Sequence, residues 1–191
     1  AHRPSEIAGR IQIKQSSLSV PLQLLLHASL IARDSPFPEL PEKSKRNLYR
    51  ISDCALRFWY RVYSPHRSRW HLYSEQEKNK FVHDHAASVL EDCFRSLYPD
   101  AQRYWEGRDI EFDAVRYDAD DLKSVIVSEI KHRSLSPRQK KQLEGTVQER
   151  FLRSKLGKKF SLSAVEVLDT SDVLKRLVEV RSGFLPTQIT T

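Results

Sequence analysis

The most restrictive feature of this chain is a short apolar strand that runs straight into charge. Val125-Ile126-Val127 is β-branched throughout, and Ser128-Glu129-Ile130-Lys131 follows without a break. Such a run reads as a buried strand. Upstream, Ile110, Phe112 and Ala114 alternate with Glu111 and Asp113, which places the first three on one face and the two acids on the other. A polar turn from Arg116 to Asp121 joins the two, so residues 109–131 are expected to form a hairpin. With the turn centred near Asp121, Asp113 falls opposite Glu129, and Val125, Val127, Glu129 and Lys131 share a face. Opposed residues have Cβ atoms roughly 4.5–5.5 Å apart, and like charges there are destabilising. A divalent cation between two such carboxylates relieves that repulsion, and Lys131 adds a positive partner. An acid followed by Glu-x-Lys at the end of an apolar strand is what a hydrolytic magnesium site needs. An ordinary solvated hairpin with a surface ion pair fits the same spacing. With 30% charged residues the triplet even recurs, at Asp121-Leu122-Lys123, so spacing alone leaves both readings open.

A chain of 191 residues holds one medium domain or two small ones. A net charge of +7 suits contact with an anionic polymer. There is no apolar run of membrane-spanning length and no charged-then-apolar leader, so neither a span nor a signal peptide is expected. Cys54 and Cys93 show no pair spacing and read as reduced core thiols of a cytoplasmic protein. The sequence starts at Ala1 inside a helical pattern and contains no methionine, which reads as a piece of something longer. None of its five glycines forms a phosphate loop, so no ATP site of that kind is expected.

In chain order, Ser5–Lys14 is expected to be helical, with Ile7 and Ile11 aligned. Ser17–Ala32 is expected as a second helix with a stripe of Leu18, Leu22, Leu25, Leu26 and Leu30. Two strand-like pieces, Leu30–Arg33 and Asn47–Ser52, flank a loop with Pro36, Pro38 and Pro41. This order looks like a winged helix-turn-helix short of its first helix. Its outward positions would be Ser19, Gln23 and His27, without a basic residue to read DNA, so packing and DNA binding both stay open. Lys43, Lys45 and Arg46 of the wing loop could touch phosphate. Ser52–Tyr63 is expected as a capped helix with Leu56, Trp59 and Tyr63 on one side and Arg57 and Arg61 on the other, a pattern that core packing explains best and nucleic-acid stacking also fits. Glu75–Leu97 is the longest expected helix. Its His83 and His85, two residues apart, point away from each other and are read as surface residues, not metal ligands. Arg103–Trp105 is a short strand, and Ser136–Ser154 a helix with Ser136 as cap. In that helix Leu143, Val147, Phe151 and Leu152 are expected inside and Arg138, Lys140, Lys141, Arg150 and Arg153 outside. Phe160–Leu168 is a strand, Ser171–Val180 a helix, and Gly183 onward a polar tail.

From Glu75 on, the order helix, three strands with Glu-x-Lys on the third, helix and strand resembles the core of the PD-(D/E)XK nuclease superfamily, an α/β fold. A more particular likeness runs over almost the whole chain. Leu48-Tyr49-Arg50-Ile51-Ser52-Asp53, then Leu56-Arg57-Phe58-Trp59-Tyr60-Arg61, and later Trp105, Glu111-Phe112-Asp113 and Glu129-Ile130-Lys131 resemble the C-terminal region of archaeal-type AAA ATPases. The resemblance implies a winged-helix-like segment over residues 1–52, a connecting helix and basic loop over 53–74, and a restriction-endonuclease-like domain over 75–182. Residues 183–191 would be the tail. It further implies that Asp113 and Glu129 hold Mg²⁺ or Mn²⁺, with the Ile130 carbonyl as a further ligand. Lys131 would position or help deprotonate the attacking water. One motif departs. Members commonly carry Gly-x-x-Phe-Glu early in the long helix, where this chain reads HDHAASVLED. Glu91 falls about a turn later, which leaves its reach open, with His85 or Asp84 as substitutes.

The reading that follows is a metal-dependent DNA nuclease domain attached to an upstream ATPase. The alternatives are an inactive nuclease-fold module that binds DNA, and a regulatory region packed on the ATPase. Lys140, Lys141, Lys155, Lys158 and Lys159 are the residues expected to line a DNA track.

Overall fold

The computed structural model describes residues 2–107 and 109–182, so the expected polar tail lies outside the described residues. Internal contacts divide the chain into two compact units, Ala1–His85 and Ala86–Thr191. Helices and two β-sheets make the class mixed α/β. Among the described residues, no helix is long and apolar enough to cross a membrane.

In the first unit, α1 spans Pro4–Arg10, shorter than its apolar pattern suggested. Gln12 adopts φ 57°, a left-handed conformation that cannot continue a helix. A 3-10 turn over Gln15–Leu18 leads into α2, Ser19–His27, and Ser29 at φ 54° ends that helix early. Leu18 and Leu22 bury against Ala8, but Leu25 and Leu30 stay exposed, Leu30 because the helix has stopped before it. Ser19, Gln23 and His27 are exposed as expected. β1 (Ile31–Asp34) and β2 (Leu48–Ile51) pair antiparallel, Ile31 opposite Ile51 and Asp34 opposite Leu48. Two helical pieces followed by a two-stranded ladder is the order the sequence suggested.

The helix after β2 corrects the reading of its faces. α3 spans Cys54–Phe58, its start capped by Asp53, which accepts the Leu56 N–H at 2.7 Å. A π-helical turn over Trp59–Tyr63 follows, then the single turn α4, Ser64–His66. The wider turn shifts the helical phase. Arg57 and Val62 bury, while Leu56, Trp59 and Cys54 lie exposed, so Cys54 is not a core thiol. α5 follows over Glu75–Arg95, with Ser74 and Glu77 closing its first turn through reciprocal hydrogen bonds. Its first half places Phe81 on the ring of His66, centroids 4.6 Å apart.

The second unit is built on a four-stranded sheet in the order β3 (Gln102–Glu106), β4 (Ile110–Tyr117), β5 (Ser124–Lys131), β6 (Ser161–Asp169). β3–β4 and β4–β5 are antiparallel, and β5–β6 is parallel. A parallel neighbour needs a crossover, supplied by α6 (Pro137–Arg153) and the short α7 (Lys155–Lys159). α6 starts at a Ser136–Gln139 capping box with Pro137 in the first turn. Gly157 lets α7 turn tightly, because a Cβ there would lie 2.3 Å from the Phe151 carbonyl oxygen. α8 spans Thr170–Arg181.

Consecutive strand residues point to opposite faces, so the unbroken burial of Ser128, Glu129 and Ile130 means that both faces of the sheet are covered. On one face Ala114, Ile130 and Leu168 pack with Leu90 and Phe94 of α5 and Val173 of α8. α6 covers the other, with Val147 and Phe151 buried. Two expectations for α6 fail. Leu152 is exposed, and Arg150 turns inward, because it lies three residues from Val147 on the flank of the buried stripe.

Asp169 ties the ends of these elements together. Its buried carboxylate accepts N–H bonds from Leu135 (3.3 Å), Ser171 (2.9 Å) and Asp172 (3.2 Å), and Lys140 Nζ lies 3.4 Å away. The Ser171 hydroxyl bond, the backbone bonds from Asp172 and Leu135 and the Lys140 charge outweigh the opposing effect of burial and leave its carboxyl far more acidic than usual. Replacing Asp169 by Ala orphans these donors and should lower unfolding stability by about 2–3 kcal/mol. Urea denaturation measures this, with Asp169→Asn expected to lose less.

Candidate active site

The site arises where β4 parts from β5. Gln102 pairs with Val115 and Tyr104 with Phe112, so two steps along β3 match three along β4. The extra residue falls at Asp113–Ala114, a β-bulge. Bulges re-aim side chains and end strand pairing. The alternation expected for β4 is therefore corrected: Ala114 joins the cluster with α5 and α8, whereas Phe112 packs toward Phe151 of α6, ring centroids 6.4 Å apart.

The β4–β5 pairing runs from Tyr117–Val125 to Ala114–Ser128, the register expected from a turn near Asp121. One position further on, Asp113 and Glu129 meet. Here the Asp113 side chain continues the contact in place of the backbone, with Oδ2 accepting the Ile130 N–H at 2.7 Å. Glu129 is buried on the α6 face. Its Oε1 accepts from Lys131 Nζ at 2.7 Å and its Oε2 from Arg150 at 3.3 Å. Arg150 also donates to the Glu111 carbonyl at 2.7 Å, so one guanidinium spans both strands at the point where they separate.

The charge of Glu91 on α5 acts on Asp113 and Lys131. Burial raises the Asp113 carboxyl to about 7, and the charges of Glu91 and Glu129 add to that rise. The Ile130 N–H and the Lys131 ammonium act against it. Glu91 is raised as well, first by burial and then by Asp92 and Glu111, with Arg103 and Arg95 opposing. Arg95 helps fix this corner, donating to the Asp113 carbonyl at 2.6 Å. For Lys131, burial favours the neutral amine. The Glu129 hydrogen bond and the charges of Glu129, Asp113 and Glu91 outweigh it, and its pKa is raised.

Asp84 and His85, the candidate substitutes for the helix carboxylate, lie earlier on α5 than Glu91. His85 sets its ring edge-on to Phe58, centroids 5.3 Å apart, and burial, then the charges of Arg57 and Arg61, lower its pKa. Asp84 is exposed. Among the described residues, no group of three or more His, Cys, Asp or Glu side chains is placed to hold a metal ion. The donors at hand, two strand carboxylates and the Ile130 carbonyl, are nonetheless hard oxygens of the kind Mg²⁺ prefers, and their crowding is the repulsion a cation relieves.

The five lysines expected on a DNA track fall into two groups. Lys140 and Lys141 sit in the first turn of α6, where Lys140 is engaged by Asp172 at 2.5 Å. Lys155, Lys158 and Lys159 lie on α7 beyond the other end of α6. At 1.5 Å per helical residue the groups are about 20 Å apart. The residues that sequence reasoning missed are Arg150 and Arg95. Arg150 had a signal in its spacing from Val147; nothing local marks Arg95.

No family model matches the chain, and no curated protein or solved structure matches it.

Asp113 gives the pH test. Its folded pKa, about 7, lies above the ordinary value of 3.8, so the folded state holds the extra proton between the two. Stability should therefore fall as pH rises from about 4 to about 7 and level off above. Asp113→Asn keeps an acceptor for the Ile130 N–H and removes the titration. In EDTA it should be more stable than the parent at pH 8, by on the order of 2–4 kcal/mol, and gain much less at pH 4. Thermal unfolding at the two pH values measures the difference.

Proposed function

We propose that the second unit is a metal-dependent nuclease domain of PD-(D/E)XK type that hydrolyses phosphodiesters in DNA. The observation that carries this reading is the meeting of Asp113, Glu129 and Lys131 at the bulged end of β4, with Glu91 of the preceding helix in the same electrostatic neighbourhood. Asp113, Glu129 and the Ile130 carbonyl are the groups that would hold Mg²⁺ or Mn²⁺. The chemistry such an ion supplies is polarisation of the phosphate and a more acidic bound water.

The chain's own residues divide the remaining work. Lys131, with its pKa raised, stays an ammonium near neutrality, so it would orient the attacking water and offset phosphate charge without removing a proton. Arg150 would hold Glu129 in place while keeping β4 and β5 apart. Free Cys54 and Cys93 suit a reducing cytoplasm. An ATPase upstream in a longer chain would drive or gate the domain.

One observation favours a second reading, an inactive module that keeps this fold to bind DNA or to pack on the ATPase. Both oxygens of Glu129 are already paired, with Lys131 and with Arg150, so the cluster can hold together as a structural ion network.

Calorimetric titration of Mg²⁺ and Mn²⁺, with plasmid nicking on the same samples, separates the readings. The nuclease reading expects metal binding and nicking in the parent and neither in Glu129→Ala. Lys131→Ala should keep metal binding and lose nicking by about 100-fold or more. Metal binding without nicking would favour the inactive module, and no metal binding in the parent would end the nuclease reading. If the lysines meet DNA, affinity should fall steeply with salt. Charge reversal at Lys158 and Lys159 should weaken it more than reversal at Lys140, paired with Asp172, or at Lys155, 3.7 Å from Glu106.

A further inference from the structure

The first unit contains a half-open cavity of about 600 Å³. Its floor is aliphatic, from Ile7, Leu22 and Ile31, and Tyr49 and Tyr60 stand beside it. Arg10, Arg50, Arg57 and Arg61 converge on it, and among the described residues none of the lining is acidic. Arg50 is paired with Asp34 at 2.9 Å, and Arg10 lies 3.4 Å from His2 Nε2. The lining as a whole is strongly cationic over an apolar base.

Two features of the backbone bear on this cavity. α3 buries the Arg57 guanidinium and leaves Leu56 and Trp59 in solvent, the reverse of what burial energetics favours for a helix that only packs. The next turn is π-helical and carries Tyr60 and Arg61 to the cavity. Single π-turns are rare and occur frequently at functional sites. A chain whose local choices run against its own packing preferences does so mainly where a site requires it. The pKa of His85 is lowered by burial first and then by the charges of Arg57 and Arg61, which belong to the same positive field.

We propose that this cavity binds a phosphate monoester carried on an aromatic or apolar body. Guanidinium forks match phosphate oxygens in pairs, and a doubly charged phosphate answers several arginines better than a single carboxylate. The exposed ring of Tyr60 offers a stacking face and the aliphatic floor a seat for the body. Two sources share this chemistry: a free nucleotide, and the phosphorylated end of a nucleic-acid strand. The inference is independent of the nuclease reading, which concerns the other unit.

Calorimetry on the whole chain in EDTA, which keeps the carboxylate cluster out of play, tests it. The ligands are adenosine 5′-monophosphate, adenosine, and a short oligothymidylate with and without a 5′-phosphate. The monophosphate should bind at least tenfold more tightly than adenosine. Arg61→Gln and Arg10→Gln should each weaken it at least fivefold, and Lys123→Gln should leave it unchanged. Arg10 is exposed, so its variant carries the test if Arg61→Gln fails to fold. An oligonucleotide that competes with the monophosphate only when 5′-phosphorylated identifies the strand end as the source. Binding of the monophosphate alone identifies a free nucleotide. Equal binding of adenosine and its monophosphate, unchanged affinity in folded variants, or no binding of any phosphate ligand overturns the proposal.

Discussion

Like charge held at close quarters governs the second unit. The charges of Glu129 and Glu91, from a strand and a helix, both act on Asp113, and the neighbouring features answer that repulsion. The bulge lets Asp113 turn onto the Ile130 amide. Lys131 and Arg150 bracket Glu129, and Arg95 braces the backbone at Asp113. Removing a single cation from this set would leave a buried carboxylate without its match, which costs more than the pair contributes when intact.

The arginines of the first unit present the opposite arrangement, cations gathered around a cavity with no acid among the described lining residues. The formal charge of +7 is thus not spread evenly. In one unit basic residues hold acids in place, and in the other they surround a concave surface. The sequence total alone cannot distinguish these uses, because both draw on the same residue types.

Much of the candidate site was legible in the sequence. The β-branched run at Val125–Val127 sets strand β5, the polar turn sets the register, and period-two geometry then requires Asp113 and Glu129 to meet. What escaped reading depends on local irregularity. The bulge at Asp113–Ala114 flips the alternation of β4, and the π-turn at Trp59–Tyr63 rotates the buried stripe of α3. Both insert a fraction of a turn or a single residue into a regular period, and no residue there advertises it. Gln12 and Ser29 end helices in a conformation that neither side chain favours, so the apolar patterns ran on past the true ends. Arg150 was set outside by its charge although its spacing placed it inside. Glu91 was left open because its reach depends on where α5 sits on the sheet, a tertiary fact.

The two ladders that meet at β5 differ in extent. β5 pairs with β6 over eight positions, Ser124 to Lys131, and with β4 over four. Backbone opening should follow that difference, because amides in continuous buried ladders exchange with solvent most slowly. Glu129 and Lys131 ride on the longer ladder, while Asp113 sits just past the end of the shorter one, on a segment held by β3 but not by the β5 backbone. The cluster therefore straddles a boundary between a fixed jaw and a movable one. Whatever bridges its carboxylates would also close the sheet, so occupancy of the site and slow amide exchange along the first half of β4 would rise together.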